Sequence, residues 1–351
     1  MTNLFIRILD WVQSFVGNYG WSVVVFTLLI KLVLLPLDVK SRKSMRAMSL
    51  LNPKLEELKK RYANDQEKLN KKMSELYKKE KVSPLSGCLP LLIQLPILYI
   101  MFAAMRHVAA RMQFTVVYNF INNNLVDGDG NLMLLENIQP VIESLKNGTL
   151  SFGDTQSWLW IKSVFQPDNF SRVVFPTISE LTTALKQYPT ELSEEAMQLI
   201  TVYANNTNGI AEAIDGAVAA NCNYFSFNLF LNWFPIHWPR NWSNYVNGYY
   251  ILPVLALATQ ILTNKLQPMD ANAGADQNQN STGKFMKWFF PILSLWICTS
   301  SNAAFSIYWV FVNVWSIASN FIINKYLEHQ DKRAKKDGDS SSDTMKEALQ
   351  P

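Results

Sequence analysis

The chain has 351 residues, of which 49% are apolar and only 17% charged, with a net charge of +4. Length alone would allow several soluble domains, but apolar runs that approach or exceed the length of a membrane span argue for an integral membrane protein. Three scattered cysteines (Cys88, Cys222, Cys298) and three scattered histidines (His107, His237, His329) give neither a disulfide framework nor metal-ligand spacing. There is no glycine-rich phosphate loop and no nucleophile elbow, so the sequence suggests no enzyme, no cofactor and no metal.

Residues 1–18 contain TNLFIRILDWVQSFVGN. They lack the basic start and small-residue cleavage site of a signal peptide. Arg7, Asp10 and Ser14 share one helical face; Leu4, Ile8, Trp11, Val12 and Phe15 occupy the other. This predicts an amphipathic helix lying in the membrane interface. The first span is expected over 19–37, where WSVVVFTLLIKLVLLPL holds one cation, Lys31. A lysine at mid-bilayer costs about 2.5–3.5 kcal/mol on insertion scales. Two readings stay open from the residues: Lys31 faces a polar groove, or it snorkels to the interface. Pro36 predicts a kink or an end of the span.

Residues 38–83 carry fourteen cations against seven anions, which places them in the cytoplasm and the N-terminus outside. Asn52–Pro53 reads as a helix start, Leu55, Leu58 and Tyr62 as an apolar stripe, and Asn64 with Glu67 as a capping box. Leu69, Met73, Leu76 and Tyr77 line a second helix. The prediction is a cytoplasmic helical hairpin whose basic face includes Lys54, Lys59, Lys60, Arg61, Lys68, Lys71 and Lys72. That face suits either anionic lipid or a contact with ribosomal RNA or a targeting partner.

A second span is expected over 84–106, studded by Pro84, Pro90 and Pro96 and containing Gln94. Residues 107–247 form an extracytoplasmic insertion or cap; between 106 and 247 the anions outnumber the cations, twelve to seven. VDGDGN at 126–131 is a turn rather than a Ca²⁺ loop. Three short helices are expected within 176–222, and the aromatic stretch 223–242 is expected to sit on the membrane interface. Third, fourth and fifth spans follow at 248–266, 285–300 and 302–326, with a cytoplasmic loop at 267–284 and a disordered cytoplasmic tail at 327–351.

The run from Leu76–Tyr77–Lys78 through Lys81, Ser83–Pro84, Gly87–Cys88, Pro90, Gln94 and Pro96 resembles the Oxa/YidC/Alb membrane insertase family, in its bacterial branch. YYILP at 249–253, YWVFVNVWSI at 308–317 and SWLWIKSVFQPDNF at 157–170 are similar to other parts of that family. The resemblance implies an all-α fold with five transmembrane helices around a polar groove, a cytoplasmic hairpin and the interfacial helix. It implies an insertase that moves nascent membrane proteins from cytosol to bilayer, in the bacterial plasma membrane. The alternatives are an assembly scaffold that does not insert, or an anion transporter built on Lys31. The implied groove residues are Lys31, Gln94, Gln260, Thr263, Asn264, Trp309 and Asn313. The implied partners are nascent membrane proteins, the ribosome, the Sec translocon and the phospholipid bilayer, and not DNA. The family usually has Arg where this chain has Lys31, and a shorter segment where 113–156 and 171–248 are expanded. With no large N-terminal periplasmic domain, the chain is expected to resemble the Gram-positive form.

Overall fold

A computed structural model describes residues 2–80, 89–188, 192–206, 208–222, 224–229, 234–239, 243, 245–266 and 279–347. The motif residues at 81–88, Cys88 among them, and the loop at 267–278 lie outside the described residues.

Helix α1 (Thr2–Val16) is amphipathic as expected, with Leu4, Trp11 and Phe15 exposed. Ile6, Leu9 and Val12 form a second apolar stripe that is buried, so Val12 belongs to the protein side rather than the lipid side. Helix α2 (Tyr19–Arg61) runs without a break through Pro36 and Pro53. The helix therefore does not terminate at Pro36, and the expected new helix start at Asn52–Pro53 is corrected. A proline removes one ladder hydrogen bond, and long apolar and Lys-, Leu- and Glu-rich flanks keep the helix continuous across that local defect. After a turn, α3 (Gln66–Lys79) is capped by Asp65, whose carboxylate accepts the Lys68 N–H, rather than by Asn64.

Helix α4 (Leu89–Asn124) contains Pro96 and extends well past the expected end of the second span. Its apolar residues Phe114, Val117, Phe120 and Ile121 continue the helical stripe beyond Arg106 and Arg111. The polar segment contains α5 (Gln139–Lys146), then the three expected helices α6 (Ile178–Gln187), α7 (Glu194–Ala204) and α8 (Ile210–Cys222). Thr177 and Glu180 start α6 with a reciprocal capping box. The aromatic stretch forms strands β1 (Tyr224–Leu229) and β2 (Phe234–Pro239), paired antiparallel with Tyr224 opposite Pro239. The protein is helical as expected, with this one two-stranded hairpin added among the described residues. Alternation of Tyr, Phe and polar residues has the two-residue period of a strand. The chain closes with α9 (Ile251–Leu266), α10 (Gln279–Ser300) and α11 (Ala303–Glu347). The tail expected to be disordered is thus a continuation of α11 through Glu347, because Lys, Ala and Glu there follow the apolar helix with no proline to end it.

Two described helical stretches are long and apolar enough to cross a membrane: Tyr19–Met48, with mean hydropathy 2.3, and Ala303–Gln330, with mean hydropathy 1.4. Ile251–Leu266 and Trp288–Ser300 are shorter apolar helices.

The chain divides into two compact units. The first comprises 1–27, 98–258 and 292–311. Its core packs the second half of α4 against α5 to α8, with Phe114, Ile121, Ile138, Ile200, Ile214 and Val218 buried. Phe120, Phe152 and Phe175 form a ring cluster with centroids 4.6–5.3 Å apart. Arg111 binds the Asp10 carboxylate through both guanidinium nitrogens, and the Tyr19 hydroxyl joins them at 3.0 Å, which ties α1 to α2 and α4. The aspartate raises the Arg111 pKa further above its ordinary range.

The segment 156–170 is the hub of this unit. Buried Asn247 donates to the carbonyls of Ser163, Gln166 and Pro167, while its own side-chain oxygen accepts the Ser163 N–H at 2.7 Å. The N–H groups of Ala303 and Ala304, at the start of α11, donate to Gln166 and Val164. Fully buried Asp168 accepts from the Tyr249 N–H at 2.8 Å, the Leu252 N–H at 2.6 Å and the Trp160 indole at 3.3 Å. It therefore caps α9 across a sequence gap of more than eighty residues. Burial pushes its carboxyl above the usual range, and the N–H donors pull it back. Tyr250 sits at φ +62°, a left-handed conformation costly for a tyrosine and held by this cap.

The second unit comprises 28–97, 259–291 and 312–351. In it the end of α2 and α3 pack as the expected helical hairpin around Leu51, Leu55, Leu69 and Met73, with Leu58, Tyr62, Leu76 and Tyr77 alongside.

Candidate functional site

The polar residues of the second unit sit on apolar helices, where each uncompensated group is expensive. Lys31 is only 7% exposed. Its ammonium donates to Gln94 Oε1 on α4 at 2.8 Å. The side chain thus turns to a neighbouring helix instead of stretching along its own. On α9, Gln260 donates to Asn264 at 3.2 Å, a contact across one helical turn. Buried Asn313 of α11 donates to the Thr259 hydroxyl at 3.3 Å. The Thr263 hydroxyl is buried without a hydrogen-bond partner among the described residues.

Six of the seven expected groove residues therefore fall in one unit, five of them in separate polar contacts: Lys31 with Gln94, Gln260 with Asn264, and Asn313 with Thr259. Thr263 lies between them in sequence on α9. Trp309 belongs to the first unit, its indole nitrogen enclosed without a partner among the described residues and its ring 5.8 Å from Phe305.

A second buried cation was not singled out from the sequence. Arg42, also on α2, donates to Asn320 and to the Ser319 hydroxyl at 3.2 Å and the Ser316 carbonyl at 3.3 Å, all on α11. Asn320 in turn donates to the Leu266 carbonyl at 3.1 Å, so this cluster ties α2, α9 and α11 within the unit. The signal was available: Lys31, Asp38 and Arg42 are spaced seven and four apart, which puts them on one face of α2. Counting Arg42 among the loop cations concealed it.

On the hairpin, four of the seven expected contact residues are engaged in ion pairs: Lys54 with Glu80, Arg61 with Glu57, Lys68 with Asp65 and Lys72 with Glu75, at 2.7–3.0 Å. These pairs are exposed, and each contributes little to stability. Lys59, Lys60 and Lys71 make no ion pair among the described residues, and Lys60 and Lys71 are exposed. No group of His, Cys, Asp and Glu that could hold a metal occurs among the described residues.

Comparison with known proteins adds to this geometry. The sequence model of the family described as 60Kd inner membrane protein matches residues 11–217 and 230–332. A protein named membrane protein insertase YidC from Fusobacterium nucleatum is 50% identical over 99 residues, 28% of this chain and 48% of that relative. Proteins of the same name from Aromatoleum aromaticum and Thioalkalivibrio sulfidiphilus are 47% and 48% identical over 90 residues, 26% of this chain and 16% of each relative. The matched stretches thus span about half or less of these relatives. The family match covers most of this sequence, and the chain belongs to the 60Kd inner membrane protein family.

Proposed function

We propose that this chain is a membrane protein insertase, moving nascent membrane proteins from the cytosol into the lipid bilayer. Five helices cross the membrane, built on 19–37, 84–106, 248–266, 285–300 and 302–326. The N-terminus lies outside, and the C-terminus lies in the cytoplasm of a bacterial cell. The helical hairpin receives substrate on the cytoplasmic side, with the ribosome and the Sec translocon as further partners. The 107–247 segment forms a cap outside.

The observation that carries the proposal is Lys31, shielded from solvent and held by the neutral amide of Gln94 rather than by a carboxylate. The amide satisfies the ammonium's hydrogen bond but brings no countercharge, and Asp38, seven residues along α2, acts on that charge electrostatically with no ion-pair contact to it among the described residues. A substrate carboxylate arriving at about 4 Å would gain about 4 kcal/mol at an effective dielectric of 20. That matches the roughly 2.5–3.5 kcal/mol it costs to bring an acidic side chain to mid-bilayer. The cation therefore draws an acidic outer tail part-way across. Gln94, Gln260, Thr263, Asn264 and Asn313 line the hydrophilic path, and the substrate's apolar span leaves sideways into lipid. The substrate's own hydrophobicity drives the step, and no nucleotide is consumed.

Depleting the protein and following small single-span proteins with acidic outer tails tests this. Insertion is expected to fall, to stay low with Lys31→Ala and to return with Lys31→Arg. Unchanged insertion on depletion would sink the proposal. Normal insertion with failed assembly of multi-subunit complexes would indicate a scaffold instead.

A further inference from the structure

We propose that a cavity in the first unit binds the phosphodiester headgroup of an anionic phospholipid. The cavity has a volume of about 530 Å³ and is walled by α4, α6, the 165–177 segment and the α10–α11 junction. That volume is in the range of small-molecule sites, about 300–1,000 Å³. Its lining is rich in hydrogen-bonding groups, including Ser179, Gln187 and Asn302.

The charge balance inside it selects the ligand. Glu180 is neutralised by Arg172 at 2.7 Å, and its second oxygen accepts from the Thr177 N–H and Gln166. Arg106 has no ion pair among the described residues. Its guanidinium lies 5.3 Å from the Phe102 ring centre and makes one long contact, 3.4 Å, to Gln187. The cavity therefore carries one net positive charge on an exposed, donor-rich planar group, which fits a phosphate oxygen pair. A zwitterionic headgroup would bring a cation beside Arg106 and Arg172 and is disfavoured.

The position selects the source. Arg106 is the first charged residue after the apolar run 95–105 of α4, and Asn302 lies in the break between the apolar helices α10 and α11. Ends of apolar helices lie at headgroup depth, where Arg is an interfacial residue. This proposal rests on the chain's membrane location and not on insertase activity, so either can fail alone.

The test uses the full chain purified in a neutral detergent. Thermal unfolding is titrated with short-chain phosphatidylglycerol, short-chain phosphatidylcholine and inorganic phosphate. Phosphatidylglycerol is expected to stabilise the wild type, and the other two are not. Arg106→Gln is expected to weaken the effect about fivefold to tenfold, the scale of one partly exposed charge-assisted contact. Arg106→Lys is expected to keep much of it, and Lys186→Gln, on the cavity-wall helix α6 but outside the cavity, to keep all of it. Equal stabilisation by phosphatidylcholine or by phosphate overturns the lipid assignment. An unaltered response in Arg106→Gln, or an equal loss in Lys186→Gln, overturns the site.

Discussion

Replacing Asp168 by Ala removes the acceptor shared by the Tyr249 and Leu252 N–H groups and the Trp160 indole. Hydrogen bonds to a charged acceptor contribute about 1.5–3 kcal/mol each, and loss of a helix cap costs about 1 kcal/mol. The three contacts share one carboxylate whose own burial is unfavourable, so they do not add. The expected loss is about 3–5 kcal/mol, the scale of breaking a buried charged contact from one side. For a unit of this size that corresponds to a fall in Tm of roughly 10 °C. Asp168→Asn keeps one acceptor oxygen but turns an amide N–H toward a donor, so roughly half the loss is expected. Differential scanning fluorimetry in detergent reads the first quantity. Hydrogen exchange of the peptide covering 246–256 reads the second, where the Tyr249 and Leu252 amides should open early. An unchanged Tm together with unchanged exchange in Asp168→Ala would refute the assignment of Asp168 as the cap of α9.

Gly248→Ala should disturb the same place, since a Cβ there collides with the Asp168 carboxylate, and its exchange pattern should mimic that of Asp168→Ala. Arg111→Gln should cost about 1–3 kcal/mol, with Asp10→Asn adding little in that background because both substitutions break one contact; a double-mutant cycle measures the coupling. Arg42→Leu should loosen the contacts of α2 with α11 and lower the Tm of the whole chain, whereas Lys59→Ala should not; parallel melts compare them. Burial lowers the Lys162 pKa below the usual 10.5. The unfolded chain then binds that proton more tightly, so this group's contribution to stability rises with pH from its folded pKa toward 10.5 and is flat outside that window. Lys162→Met should remove that slope in melts taken across the alkaline range.

The sequence made legible what depends on local pattern. The cation inside the first apolar run, the facing stripes of the hairpin and the three helices within 176–222 all follow from helical spacing, and each is present at nearly the expected residues. What depends on distant neighbours was not legible. Pro36 and Pro53 read as breaks because a proline is weighed against its own few neighbours, while α2 is stabilised over its whole length. The strands at 224–239 were masked by an aromatic content equally suited to a membrane surface. Asp168 stands in the 157–170 motif, yet nothing in the order of residues says that Tyr249 and Leu252 return to it. Of the proposed groove, the residue types were visible on each helix; the partners Thr259 and Asn320 were not, because pairing across helices leaves no trace in spacing.

Asn247 and its neighbours hold the two ends of a long excursion side by side: Val173 pairs with Val246, and the Asn247 N–H donates to the Arg172 carbonyl. Entropy penalises a longer tether only logarithmically, so stretching a short link to some seventy residues costs about 3 kcal/mol. A clasp of this kind makes the junction a natural docking point for foreign sequence. Evolution could enlarge, trim or replace the excursion while the membrane helices keep their register. A protein engineer could seat a fluorescent reporter or an affinity handle in the same socket with the clasp left in place.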